Sequence, residues 1–262
     1  MITAETLGHG MWAGAANFAA VPLAATPFID WSWISQNGGQ ILSDLGQHAE
    51  LSFLAVGIGT VIAVPLSVLA WRSRLARSPI TTLASVLYII PSLAMFAILG
   101  PVTGYFSTTT AEIALVSYTQ LILIRNTLAG LAAVPEDARD AARAMGFRPN
   151  RSLLQVELPL AVPYILAGLR VATVTVIGLV SVTALIGLGG LGQLFVAGLQ
   201  GSDSGPFYTP IMVGLVLSVA LAGAADAALV VLERFVVPWS RVARRGRHLA
   251  APTRAAPVAG PA

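Results

Sequence analysis

The stretch PEDARDAARAMGFRPNRSLLQVELP, residues 135–159, stands between long apolar runs and cannot itself lie in lipid. It holds Arg139, Arg143, Arg148 and Arg151 together with Glu136, Asp137, Asp140 and Glu157. The 262 residues around it are 56% hydrophobic and only 10% charged over the whole chain, with a mean hydropathy of +0.78. Soluble domains carry about 25% charged residues. The composition is that of an integral membrane protein, and a charged, helix-forming segment between two of its spans is offered to a soluble partner.

Outward from this island, five segments approach the ~20 mostly apolar residues that a span requires. They are residues 51–71, 80–102, 106–124, 160–188 and 210–232. Pro65 should bend the first and Pro91 interrupts the second, which neighbouring helices tolerate in a membrane. The third stops at Arg125 and Asn126, and the fifth at Glu233 and Arg234. Arginine sets the orientation. Residues 1–71 contain none, and the loops after the second and fourth spans carry neither Lys nor Arg. Arginines cluster after the first, third and fifth spans, so the positive-inside rule puts the island and the C-terminus in the cytoplasm and the N-terminus outside.

The flanks are read separately. Residues 11–29 are apolar but contain Asn17, Pro22 and Pro27 and lack a basic leader. Residues 1–40 are therefore read as an extracytoplasmic or interfacial extension, with Trp31 and Trp33 suited to the membrane boundary. Whether 11–29 add a span is left open. The domain proper is 41–239, and the Arg-, Ala- and Pro-rich tail 240–262 reads as a disordered cytoplasmic end whose arginines can touch anionic lipid.

Residue absences narrow the chemistry. There is no cysteine, hence no disulfide or thiolate site. His9, His48 and His248 are far apart in sequence, so no metal site is expected and each is read as solvated or interfacial. Lysine is absent altogether, which excludes a P-loop, whose lysine reaches nucleotide phosphates. The net charge of +3 comes from basic segments flanking apolar ones and is not a nucleic-acid footprint.

Within the island, Pro135 suits a first helical position, and Glu136 and Asp137 place negative charge at the positive end of the helix dipole. Ala138, Ala141, Ala142 and Met145 recur at helical spacing and predict one small-residue face, with Arg139 and Arg143 on another. Gly146 is a natural stop. Pro149 can open a second short helix, and Pro159 marks the turn back into the membrane. Two short helices are thus expected across the cytoplasmic ends of the spans.

These residues resemble the cytoplasmic signature of permeases from bacterial binding-protein-dependent ABC importers: Glu-Ala-Ala, three residues, Gly, nine residues, Ile, one residue, Leu-Pro. Here the pattern reads Asp140-Ala141-Ala142, Gly146, Val156, Leu158-Pro159, with Asp for Glu and Val for Ile. The resemblance implies an all-α membrane protein with a five-span type I importer domain and cytoplasmic coupling helices that dock on an ATP-binding subunit. Four more segments resemble the glycine betaine, carnitine, choline and proline branch: IPSLAMF (90–96), IRNTLAGL (124–131), VELPLAVPYILAGLRVATV (156–174) and ALIGLGGLG (184–192). The likeness covers residues 41–239; methionine and amino-acid importers are the nearest alternatives.

The implied assembly is a pair of permease subunits, identical or homologous, a cytoplasmic ATPase dimer that carries ATP and Mg, and a separate extracytoplasmic binding protein. This chain itself binds no cofactor under that reading and catalyses no covalent chemistry. A secondary carrier would work without an ATPase, and a membrane enzyme would need a polar catalytic cluster.

Several residues have both a structural and a functional reading. Pro91 only kinks its span, or with Ser92 shapes the wall of a translocation path. Gly187, Gly189, Gly190 and Gly192 formally fit G-x-G-x-x-G, but they follow a membrane span rather than a strand; a tight re-entrant turn or outer gate is expected. Arg125-Asn126 mark a boundary or link the third span to the island. Asp226 lies eight residues before Arg234, about 12 Å along a helix. Charge at that depth is costly, so Arg170 and Asp226 are expected to face the interior and pair, the alternative being separate snorkelling. Tyr88, Phe96, Tyr118 and Tyr164 offer aromatic faces to a quaternary ammonium, with no substrate contact assigned.

Overall fold

The structure, a computed structural model, describes residues 28–201 and 206–238. The segment 11–29, apart from its last two residues, and the tail 240–262 lie outside the described residues, as do His9 and His248. Ten α-helices follow in the described chain: α1 (Trp31–Gln36), α2 (Gly38–Arg72), α3 (Arg74–Ile89), α4 (Ser92–Thr103), α5 (Thr108–Ala132), α6 (Glu136–Ala144), α7 (Pro149–Ser152), α8 (Leu158–Thr183), α9 (Gly192–Gln200) and α10 (Tyr208–Val236).

Local chemistry sets several of the boundaries. Asp30 caps α1 by accepting hydrogen bonds from the Ser32 and Trp33 N–H groups. Hydrogen bonds from the Ser32 hydroxyl and the Trp33 N–H hold the Asp30 carboxyl below its usual range. The Asp30 N–H in turn donates to Thr209 Oγ1 at 2.9 Å. Both α1 and the start of α2 fall within the stretch read from sequence as an extension, and α2 continues as one helix through Pro65. Pro91 does more than kink its segment: the helix ends at Ile89 and restarts at Ser92, and α3 and α4 form a bent pair.

Length and apolarity single out three helical stretches among the described residues, or four with the bent pair. Five were expected, and α5 is the one that falls short. Thr108, Thr109, Thr110, Glu112, Ser117, Thr119 and Gln120 dilute its hydropathy. Yet Ala111, Ala114, Leu115, Tyr118, Leu121, Leu123 and Ile124 on the same helix are buried. Its polar groups therefore need protein partners rather than lipid, as Gln120 Nε2 donating to the Gly59 carbonyl at 3.3 Å illustrates.

The chain divides into two compact units: Met1–Ala55, Pro91–Leu115 and Val176–Ala222 in one, and Val56–Ile90, Val116–Thr175 and Gly223–Ala262 in the other. In the first, Ile41, Leu191 and Leu194 form a core joined by Trp33, Ile34, Leu45, Val213 and Leu217. In the second, Ala63, Ala70, Ala84, Leu121, Leu123, Ile124, Leu128 and Ala172 form a core drawn from α2, α3, α5 and α8. Alanines where helices meet let backbones approach closely, the usual packing device in membranes. A further cluster in this unit, Leu131, Leu153 and Ala161 with Val68, Trp71, Leu158 and Ile165, seats the charged island.

Candidate functional site

The island folds as its local chemistry dictates, with one shift in register. The first helical residue is Glu136; Pro135 is the cap, with ψ of 140°. Its carbonyl accepts from the Ala138 N–H at 3.1 Å, so the residue without an N–H sits where none is needed. At the other end Gly146 has φ of +75°. Its N–H donates to the Arg143 carbonyl at 2.9 Å and the Phe147 N–H to the Ala142 carbonyl at 3.0 Å. This is a Schellman closure, which satisfies two of the free carbonyls of α6.

The single small-residue face expected from the spacing is divided. Ala142 is fully buried against the protein, whereas Asp140, Ala141, Ala144, Met145 and Gly146 are exposed. The two arginines part in the same way: the Arg139 side chain is 18% exposed and that of Arg143 63%. At 100° per residue a nine-residue helix turns Arg139 and Ala142, three apart, inward together. Alanine satisfies either surface, so composition could not tell which alanines face the protein.

Arg139 is the most connected side chain of the island, and sequence reading missed its role. Its Nη2 donates to the Leu131 carbonyl at the end of α5, at 2.6 Å. Its Nε donates to Glu157 Oε2 at 3.3 Å and its Nη1 to Glu136 Oε2 at 3.1 Å. The guanidinium lies 5.5 Å from the Trp71 ring centroid, within cation–π range. Glu157 also accepts from Trp71 Nε1 at 3.4 Å. Hydrogen bonds from Arg139, and then Arg143, hold the Glu136 carboxyl below its usual range. Beside this cluster is a cavity of about 390 Å³ lined by Arg72, Arg143, Phe147, Pro149 and Leu153 among others.

Pro149 opens α7 as expected. No turn follows at Pro159. Residues 153–157 form a π-helical turn, in which the Leu158 N–H reaches back to the Leu153 carbonyl, and the chain is already helical as it passes through Pro159 into α8. Pro159 has no N–H to return to the Gln155 carbonyl, and the wider turn falls where that ladder would be interrupted. Val156, Leu158 and Pro159 are half-buried there.

The remaining candidates occupy four other places. Arg170 and Asp226 meet: Arg170 Nε and Nη2 donate to Asp226 Oδ1 and Oδ2 at 2.7 and 2.9 Å, a two-pronged pair joining α8 to α10. Glu233 lies 3.9 Å from Arg170. Arg125 reaches Ser85 Oγ at 3.4 Å, and Asn126 packs where any side chain on Gly168 would overlap it. Pro91 precedes α4 and Ser92 begins it. The carbonyl of Ile90, released at this break, accepts from the Tyr118 hydroxyl at 2.6 Å.

Gly187, Gly189, Gly190 and Gly192 lie in the connection between the 3-10 turn after α8 and the start of α9. His48, read from sequence as solvated or interfacial, is fully buried beside them. Its Nδ1 accepts the Leu191 N–H at 3.2 Å, so Nε2 carries the proton and donates to the Ile177 carbonyl at 2.8 Å. Gln47 Oε1 accepts the Gly190 N–H at 3.1 Å. Gly190 has φ of +82°, and a Cβ there would lie 3.3 Å from His48. Both side chains thus pin the glycine stretch, a role that a lone histidine on an apolar helix does not announce.

These features define an all-α, multi-pass membrane protein with a charged helical element bonded to the ends of its long helices. Residues 55–236 match the family described as binding-protein-dependent transport system inner membrane component, and the chain belongs to that family. It is 34% identical over 208 residues to the choline transport system permease protein OpuBB of Bacillus subtilis, covering 79% of this chain and 93% of the relative. It is 37% identical over 175 residues to the osmoprotectant import permease protein OsmW of Salmonella typhimurium, covering 65% and 81%. Among solved structures, the inward-facing MetNI methionine ABC transporter matches with a TM-score of 0.66 at 23% identity, over 75% of this chain and 96% of that one. At that identity the likeness speaks for the fold.

Proposed function

We propose that the chain is the transmembrane permease subunit of an ATP-driven importer for quaternary-ammonium compatible solutes, with glycine betaine, choline, carnitine and proline as the candidate substrates. The observation that carries the reading is the two-sided island. Asp140, Ala141 and Gly146 of the signature are exposed, while Arg139 and Ala142 on the opposite side hold the helix to the body of the protein. A surface of small residues backed by a fixed inner face is suited to receive a rigid partner. The occupations of the named permease relatives support the substrate class.

In this reading the arginine-rich side faces the cytoplasm, where a dimeric ATPase carrying ATP and Mg docks on α6 and α7. A second permease subunit, identical or homologous, completes the path, and an extracytoplasmic binding protein delivers the solute. The domain spans 41–239, after an extension 1–40 and before a tail 240–262. Val156, Leu158 and Pro159 join the docking element to α8. Pro91 and Ser92 border the path, and Gly187, Gly189, Gly190 and Gly192 form an outer gate anchored by Gln47 and His48. The Arg170–Asp226 pair keeps α8 and α10 together inside the membrane.

The deciding experiment is uptake of labelled glycine betaine, choline, carnitine, proline and methionine by a transport-deficient bacterium expressing the permease with its ATPase and binding protein. Saturable uptake of at least one quaternary ammonium that depends on all components is expected. Uptake of methionine alone, or uptake without the ATPase, overturns the reading.

A further inference from the structure

Resting on that reading, we infer that Arg139, Glu157 and Trp71 form the joint through which movement of α6 reaches the long helices, so that they couple transport to hydrolysis without contributing to ATPase docking. The joint brings together four parts of the chain. Trp71 is one residue from the end of α2, Leu131 one from the end of α5, Arg139 lies in α6 and Glu157 closes the π turn that runs into α8. From α6, the Arg139 guanidinium touches the other three, by hydrogen bonds to the Leu131 carbonyl and Glu157 and by stacking on Trp71.

Three physical points favour transmission over mere stapling. First, the Leu131 carbonyl is one of the last in α5, beyond the helix's own ladder; it accepts the Val134 N–H at 3.5 Å and the Arg139 guanidinium at 2.6 Å, so a shift of α6 pulls on the end of α5. Second, the pair is desolvated, with side chains 18% and 13% exposed. Loss of Arg139 leaves the Glu157 charge buried without its cation, and loss of Glu157 leaves Arg139 with only its exposed partner Glu136, so the joint resists separation. Third, Glu157 sits in a π turn, a local departure from α geometry of the kind found frequently at functional sites. The outer residues have none of these ties: Asp140 and Arg143 are each more than 60% exposed. Docking and transmission thus fall on opposite sides of one short helix.

Arg139 and Glu157 are positioning residues in this proposal, and the test separates coupling from assembly. The intact complex, with its ATPase and binding protein, is purified for the parent and for Arg139→Gln, Glu157→Gln and the double variant. ATPase recovery, ATP hydrolysis in proteoliposomes, and uptake of labelled glycine betaine and choline are measured on each. Each single variant should keep ATPase recovery and hydrolysis within about twofold of the parent while uptake falls about tenfold, and the double should be no worse than the worse single, as for residues acting as a unit. Glu136→Gln, which weakens the outer contact of Arg139 and the exposed ion pair with Arg143, should leave coupling intact. Parallel loss of recovered ATPase, hydrolysis and uptake overturns the inference by making the joint part of docking, as does unchanged uptake or a double variant that loses the product of both singles. Ala141→Leu tests the underlying reading: it should abolish ATPase recovery, and normal recovery with normal uptake sinks the docking role of the island whatever the joint does.

Discussion

Gly146 illustrates how one backbone angle carries a function-bearing element. A Cβ built there meets nothing within 4 Å, yet φ is +75°. Any cost of substitution is therefore conformational, about 1–2 kcal/mol for an ordinary L-residue held in the left-handed region. Gly146→Val should loosen the Schellman closure and lower uptake severalfold at equal membrane levels, while Gly146→Asn, which tolerates this region, should be milder. Equal effects of the two, with uptake normalised to protein by immunoblot, would locate the cost in side-chain bulk at the docking surface instead. Spacing alone marked Gly146 as a helix stop. It could not mark Arg139 as the inward arginine, because Arg139 and Arg143 are four apart in the same polar run and differ only in what the fold places beneath them.

At the scale of elements, α6 and α8 were legible for different reasons. The α6 segment carries its own start and stop chemistry, and α8 is apolar enough to stand out despite Arg170. The π turn between them was not visible, since it answers to the meeting of a proline with an entering helix rather than to any residue preference. The Arg170–Asp226 contact joins α8 to α10 through two charge-assisted bonds. Either charge left alone at that depth is expensive. Arg170→Asp and Asp226→Arg should each cut uptake or membrane abundance about tenfold, and the combined exchange should recover a substantial part of it. Uptake and abundance in the exchange variant no better than in the singles would mean that the two residues act separately.

For the molecule as a whole, the arginine distribution makes a prediction that no single helix can. Reporter domains active only in the cytoplasm, fused within the island at residue 147, should be active, and those fused at residue 106 inactive. The reverse pattern would invert the proposed orientation and remove the ATPase from reach of α6. The all-α class and the island were readable from patterning. The number of spans was less so, because apolarity measures a helix against lipid, whereas α5 packs mainly against protein. His48 and Gln47 were hidden for the same reason: their partners are backbone groups more than a hundred residues away.

The composition of α5 also bears on how the protein is made. With Glu112 and Gln120 within it, α5 is a poor candidate to leave the insertion machinery for lipid alone. It follows α2 and the α3–α4 pair in the chain and precedes α8, so earlier helices are available to receive it while later ones are still being synthesised. Biogenesis would then be sequential and assisted by neighbours. A substitution that weakens α2 could first appear as a failure to insert α5, long before any solute or nucleotide is involved.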